Sequence, residues 1–244
     1  MQIPAFITVR TLSERLPNKC LLPFGESNVL VHIVKRSKHY DLEPIVCTTV
    51  DSTDDIIEEI AYRESIKCFR GSVNHKLKRW LDCCDKFRID KFHTVDADDP
   101  FFDGELIKKS FSLLKDNYNM VYPTKSSSCG GASVGFSLTR DIIVKFCEMA
   151  GDERDTEMMW YYLEKTPGLK GTRLEDISKP VKVRLTLDYE EDYWLLCSIR
   201  RIVGNLAPRK AVEDLFRRNP DLYKINWFRN EEWKQRQLVK SIKE

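Results

Sequence analysis

Short apolar runs along this chain alternate with longer stretches in which apolar positions recur every three or four residues. Residues 4–9, PAFITV, are the first such run and predict a strand. Residues 27–38, SNVLVHIVKRSK, carry helical spacing, with Ser27 and Asn28 as cap candidates. EPIVCTTV (43–50) predicts a second buried strand. DSTDDIIEEIAYRES (51–65) predicts a helix with Ile56, Ile57 and Ile60 on one face and acids crowding its first turn, where the helix dipole favours them. The rhythm continues with a strand at 67–70 and an amphipathic helix at 74–87 through Leu77, Trp80, Leu81 and Cys84. A strand at 91–95, a helix at 103–117 and a strand at 119–123 follow. Such alternation implies βαβ units, a mostly parallel sheet and an α/β fold. In such sheets ligands sit beyond the carboxyl ends of the strands.

The second half is less regular. Residues 125–138, KSSSCGGASVGFSL, read as a small-residue loop leading into a strand, with helices after it at 139–149 and 154–164. KVRLTLD (182–188) alternates as a strand does, and 190–203 predicts a helix beginning at its acidic turn. From Gly204 the chain turns basic and aromatic. The expected division is a domain over 1–204 and a C-terminal extension over 205–244, partly helical, packing on the domain or on another subunit.

Composition narrows the possibilities. A chain of 244 residues buries enough apolar surface to need no disulfide or metal staple. With 40 basic and 38 acidic residues the net charge is +2, which argues against a nucleic-acid partner gripped by a broad basic face but permits a local phosphate site. The eight cysteines include no C-x-x-C, and several lie in apolar runs, so reduced core thiols and a cytoplasmic location are expected. The opening MQIPAFITVR lacks the apolar core of a signal peptide, and no run reaches the ~20 apolar residues of a membrane span.

Chemistry concentrates after the predicted strands. TVRTLSERLPNKCLL (8–22) places Arg10, Ser13, Arg15 and Lys19 just beyond the first strand. It reads either as a phosphate cradle or as a solvated basic loop, and it lacks the G-x-x-x-x-G-K-[ST] of a Walker A loop. VDADDP brings Asp96, Asp98 and Asp99 to another strand end, where carboxylates bind Mg²⁺ alongside substrate phosphates or simply favour a turn. Asp188 closes LTLD. Should Asp98 and Asp188 converge, they would face the loop cations in the layout of nucleotidyl transfer. His32, His39, His75 and His93 show no ligand spacing, which points to core or surface roles.

These segments resemble a known family. VRTLSERLPNKCLLPFG is similar to the R-x-x-S-x-R-L-P-x-K-x-L signature of cytidylyltransferases, including CMP-sialic acid and CMP-Kdo synthetases and especially the spore-coat polysaccharide cytidylyltransferase-like family. TTVDSTDDIIEEIA, CFRGSVNHKLKRWLDC, VDADDPFFDGELI, VRLTLDYEEDYWLL and the ending FRRNPDLYKIN resemble further blocks of that family in the same order. The resemblance implies a Rossmann-like, mostly parallel sheet of nucleotidyltransferase type with helices on both faces and a C-terminal helical extension, often as a homodimer. It assigns Arg10, Ser13, Arg15 and Lys19 to the CTP triphosphate, with Arg10, Arg15 and Lys19 catalytic. Arg70 and Ser72 are placed near the nucleotide, and Asp98 and Asp188 at Mg²⁺. Gly130, Gly131 and Glu157 lie in segments expected to shape the acceptor pocket. The implied reaction moves CMP from CTP to a sugar-acid, phosphate or phosphonate acceptor, releasing pyrophosphate, in surface polysaccharide or modified-glycan synthesis. Asn18 and Ala97 stand where the family carries glycine. D-A-D at 96–98 also fits a nucleotide-sugar glycosyltransferase, against which the basic loop and Asp188 weigh. A non-catalytic nucleotide-binding protein on the same fold is the other alternative.

Overall fold

Alternate residues of the central strands enter opposite apolar layers. In β1 (Ile3–Thr8), Ala5 and Ile7 face one core while Phe6 enters the other, stacking on Phe92 at 4.1 Å. The structure, a computed structural model, describes residues 2–13, 15–115, 117–150, 155–176 and 181–242. After β1 comes a small hairpin, β2 (Pro23–Phe24) with β3 (Ser27–Asn28), too short to leave a periodic signal. Asn28 then caps α1 (Val29–His39), its side chain accepting from the Val31 N–H at 2.9 Å. β4 (Leu42–Thr49), α2 (Asp55–Arg63), β5 (Lys67–Gly71), α3 (Lys76–Phe87), β6 (Lys91–Asp96), α4 (Gly104–Leu113) and β7 (Met120–Tyr122) follow the expected alternation. β8 (Ser137–Thr139), α5 (Arg140–Ala150), α6 (Met159–Leu163) and β9 (Gly171–Arg173) come next, then α7 (Glu190–Val203), α8 (Arg209–Arg218) and α9 (Arg229–Ile242).

The seven-stranded sheet has the order β5-β4-β1-β6-β8-β7-β9. β4 and β6 run parallel to β1, β5 is parallel to β4, and β9 to β7; β8 runs against both its neighbours. α3, α5 and α6 cover one face, while α1, α2, α4, α7 and α8 cover the other. The expected α/β fold with helices on both faces is therefore found. Val212 and Phe216 of α8 share a core with Leu195, Leu196 and Ile199 of α7. Cys20, Cys47, Cys83 and Cys84 are buried, Cys129 is exposed, and none of the eight forms a disulfide.

Two expectations are corrected. Residues 182–188 join no sheet ladder. Its backbone bonds go to two separate loops, Leu185 N–H to Gly130 O at 2.8 Å and Leu187 N–H to Asp98 O at 2.7 Å. The helix expected over 154–164 is shorter, confined to α6; residues 151–154 lie outside the described residues. The histidines behave as expected. His32 binds Pro100 O at 2.9 Å, buried His93 meets Ser137 Oγ at 2.8 Å, and His75 caps α3.

Candidate active site

Beyond the carboxyl ends of β1 and β6, the loop over 9–22 crosses the loop over 97–103. The first loop is anchored by Asp54, which in the sequence looks like one more helix-start acid. The Thr11 N–H and hydroxyl both donate to Asp54 Oδ1 at 2.8 Å, while Thr48 and Thr49 hydroxyls donate to its Oδ2 at 3.0 and 2.5 Å. The run TTVDSTDD carried the signal: hydroxyls at a strand end followed by a carboxylate. At the far end of the loop Asn18 sits at φ 54°, ψ 26°, the left-handed region that a glycine would otherwise serve. A short 3₁₀ turn, Lys19–Leu21, then aims Lys19 inward.

Asp54 gives the loop an acid limit. Burial lifts its pKa, but the hydrogen bonds from Thr49, Thr11 and Thr48 outweigh burial and hold the carboxyl below its ordinary value. A carboxyl depressed on folding stabilises fully above its unfolded pKa, ~3.9, and the contribution is lost as pH falls through the folded value. The urea midpoint is therefore expected to drop below about pH 4, and Asp54→Asn to flatten part of that drop.

The centre of the site is a shared cation. Lys19 Nζ lies 2.6 Å from Asp98 Oδ2 and 2.9 Å from Asp188 Oδ1. Arg15 Nη2 adds a contact of 2.5 Å to the same oxygen of Asp188. Burial would lower the lysine pKa, but the charges of Asp98 and Asp188 win and raise it. Asp188 is also buried, which favours its neutral form, yet Lys19 and Arg15 hold it well below the ordinary carboxylate range. Asp98 moves the other way: burial leads, and the nearby Asp188 and Asp96 charges add to it against Lys19. Carboxylate oxygens of Asp96, Asp98 and Asp99 also lie within 4.8 Å of one another. Two carboxylates close enough to share one ammonium are spaced to share a hard divalent cation, and an all-oxygen donor set suits Mg²⁺. The residues present thus fit such an ion.

Around this centre opens a cleft of about 450 Å³, within the ~300–1,000 Å³ usual for small-molecule sites. Arg10, Ser13, Arg15, Lys19, Asp98 and Glu157 all line it. Arg10 Nη2 meets Glu157 Oε2 at 3.2 Å across the cleft. Lys76 and Arg79, from the first turn of α3, add two cations that the sequence reading missed; their signal was an i, i+3 pair of cations entering an otherwise apolar stripe. Ser72 stays behind the lining but touches it, its carbonyl accepting from Arg79 Nη1 at 2.6 Å. Arg70 is placed elsewhere. Its guanidinium pairs with Asp55 at 2.7 Å and Glu58 at 3.1 Å and donates to the carbonyls of Thr49 and Asp51. Gly130 and Gly131 also lie outside the lining. Gly131 O accepts from Arg209 Nη2 at 2.6 Å, and Gly130 anchors Leu185.

The sequence model of a family described as Cytidylyltransferase matches residues 5–137, more than half of the chain. The chain belongs to the cytidylyltransferase family. It is 31% identical over 235 residues to Uncharacterized protein MJ1063 of Methanocaldococcus jannaschii, covering 93% of this chain and 95% of that protein. Spore coat polysaccharide biosynthesis protein SpsF of Bacillus subtilis is 27% identical over 232 residues, 88% of this chain and 94% of its own. Among solved structures, a cytidylyltransferase from Leptospira borgpetersenii superposes with a TM-score of 0.80 at 25% identity, over 91% of this chain and 97% of that one. The resemblance seen in the sequence is thus confirmed, and the chain is a CTP-utilising nucleotidyltransferase. The matched span of the cytidylyltransferase carries the basic loop and Asp98, whereas Asp188 arrives from beyond it. Among the described residues no helix is long and apolar enough to cross a membrane.

Proposed function

We propose that this enzyme transfers CMP from CTP to a small anionic acceptor, a sugar acid, phosphate or phosphonate, with Mg²⁺ and with release of pyrophosphate. The observation that carries the reading is the Asp98–Lys19–Asp188 bridge at 2.6 and 2.9 Å, with Arg15 beside it. Arg10, Arg15, Lys19 and the Ser13 hydroxyl take the triphosphate. Arg15 and Lys19 exchange their carboxylate partners for β- and γ-phosphate oxygens and stabilise the charge that builds there as pyrophosphate leaves. Asp98 and Asp188 hold Mg²⁺, which when bound supplies charge neutralisation on the phosphates. An acceptor oxygen attacks the α-phosphorus in line, and the bond to the bridging oxygen of pyrophosphate breaks. Glu157, paired with Arg10, stands on the acceptor side. Base selectivity falls to Lys76, Arg79 and, through Arg79, Ser72, in place of Arg70. The finer setting is a cytoplasmic homodimer; for its place in surface polysaccharide or modified-glycan synthesis the support is the name of the SpsF relative.

A pyrophosphatase-coupled screen of CTP, UTP, ATP and GTP against a panel of anionic sugars and phosphonates tests this. The expected result is phosphate release with CTP and at least one acceptor, abolished by EDTA. Silence across the panel, or release of nucleoside diphosphate from nucleotide sugars instead, would sink the reading.

A further inference from the structure

The C-terminal segment has no part in the cleft lining, yet its polar side chains converge behind Asp188. We propose that residues 226–233 belong to the catalytic apparatus of the same chain, with Asn226 and Asn230 as positioning residues that fix Asp188 through Asp192 and Arg184. The inference rests on the reading of Asp188 as a Mg²⁺ ligand.

Asp192 is fully buried, and its Oδ2 accepts from the backbone N–H groups of Asp188 at 3.0 Å and Tyr189 at 3.1 Å. It therefore sets the backbone that carries the ligand. Arg184, also fully buried, grips both oxygens of Asp192 at 2.9 Å and reaches Asp188 Oδ2 at 3.5 Å. The C-terminal segment completes this unit. Asn226 Nδ2 donates to Asp192 Oδ1 and to Arg184 O, both at 2.9 Å. Asn230 Oδ1 accepts from Arg184 Nη1 at 3.4 Å. Trp233 lies 5.7 Å from the Arg184 guanidinium, and Arg229 forks onto both oxygens of Glu191 at 2.9 and 3.0 Å while covering the Tyr189 ring. Asn226 and Asn230 are both 0% exposed within the single chain, so their burial owes nothing to a second subunit.

Gly130 fits the same plan. It has φ +96°, and a Cβ there would stand 2.8 Å from Asn230 Oδ1, so a side chain would evict the asparagine. Its carbonyl meanwhile anchors Leu185, one residue from Arg184. The small-residue loop thus serves the metal carboxylate from behind, whereas the sequence reading had assigned it to the acceptor. Partners that orient a ligand-bearing carboxylate act on metal affinity without touching the metal.

Calorimetry of CTP binding, with Mn²⁺ and again in EDTA, separates this from a merely structural role and needs no acceptor. In the unaltered chain Mn²⁺ tightens CTP binding. In Asn226→Ala that gain is expected to shrink on the order of 10-fold while affinity in EDTA stays within about twofold, and higher Mn²⁺ restores tight binding. Asn230→Ala, which gives up a longer contact, is expected to move the same way by less and carries the test if Asn226→Ala does not fold. An undiminished gain in folded variants, or a parallel loss with and without metal, overturns the inference while leaving the proposed function standing. No metal effect in the unaltered chain removes the metal reading and this inference together.

Discussion

Lys19→Ala is expected to reduce CTP-dependent pyrophosphate release about 10²–10³-fold, the usual cost of removing a donor aimed at developing charge. The geometry says why the loss should fall on this residue. One ammonium serves two carboxylates, and on the proposed reading it is the charge that follows the leaving pyrophosphate. The fold should survive, because the loop keeps its Asp54 anchor and Asp188 keeps Arg15 and Arg184. Arginine at 19 should not restore the rate, since its planar fork cannot sit as a compact point charge between two oxygens. Steady-state turnover beside a thermal melt decides the matter: a folded variant with near-normal turnover refutes the role given to Lys19.

Asp188→Asn should cost both activity and stability, and here Asp98 provides the contrast. The Asp188 side chain is 2% exposed and faces Arg15, Lys19 and Arg184; that of Asp98 is 24% exposed and faces Lys19. Neutralising Asp188 takes the carboxylate from Arg15 and leaves an amide beside Lys19 and Arg184, which keep Asp98 and Asp192. Removing one partner of a buried ion pair typically costs about 3–5 kcal/mol, so unfolding in urea should shift markedly. Asp98→Asn should lose comparable activity, 10²-fold or more on the order set by lost charge stabilisation, with a much smaller stability change. Equal stability costs in the two variants would contradict the burial difference on which the argument depends.

Much of this was open to sequence reasoning for identifiable reasons. β1, β4, β5 and β6 are short apolar runs, the helices between them carry a helical period, and Asn28 caps α1 as its position suggests. Arg15, Lys19, Asp98 and Asp188 stand out by their position at strand ends and by family resemblance, and the fold brings them into contact. Residues 182–188 misled because Val183, Leu185 and Leu187 alternate with Arg184, Thr186 and Asp188 as in any strand. Only the hydrogen-bond partners, Gly130 O and Asp98 O, reveal a segment outside the sheet. Arg70 misled differently: a cation beside a motif glycine looks ligand-bound until α2 is seen to supply its carboxylates. Asn226 and Asn230 left no trace at all, since a lone amide in a basic, aromatic tail has no period and no signature.

The bridge through Lys19 also bears on how the protein comes into being. Lys19 reaches partners 79 and 169 residues away, and Asp192 is completed by an asparagine a further 34 residues on. Contacts of such long range form only after large loops have closed. On the ribosome, the parallel core through β6 can assemble while Asp188 is still unmade. A chain released before residue 188 would hold the basic loop and Asp98 but not Asp188, and so would lack the pair on which the proposed chemistry depends. The order of synthesis therefore places Asp188 and Asn226 after the parallel core, and on the proposed reading the core gains its second carboxylate only once it is already made.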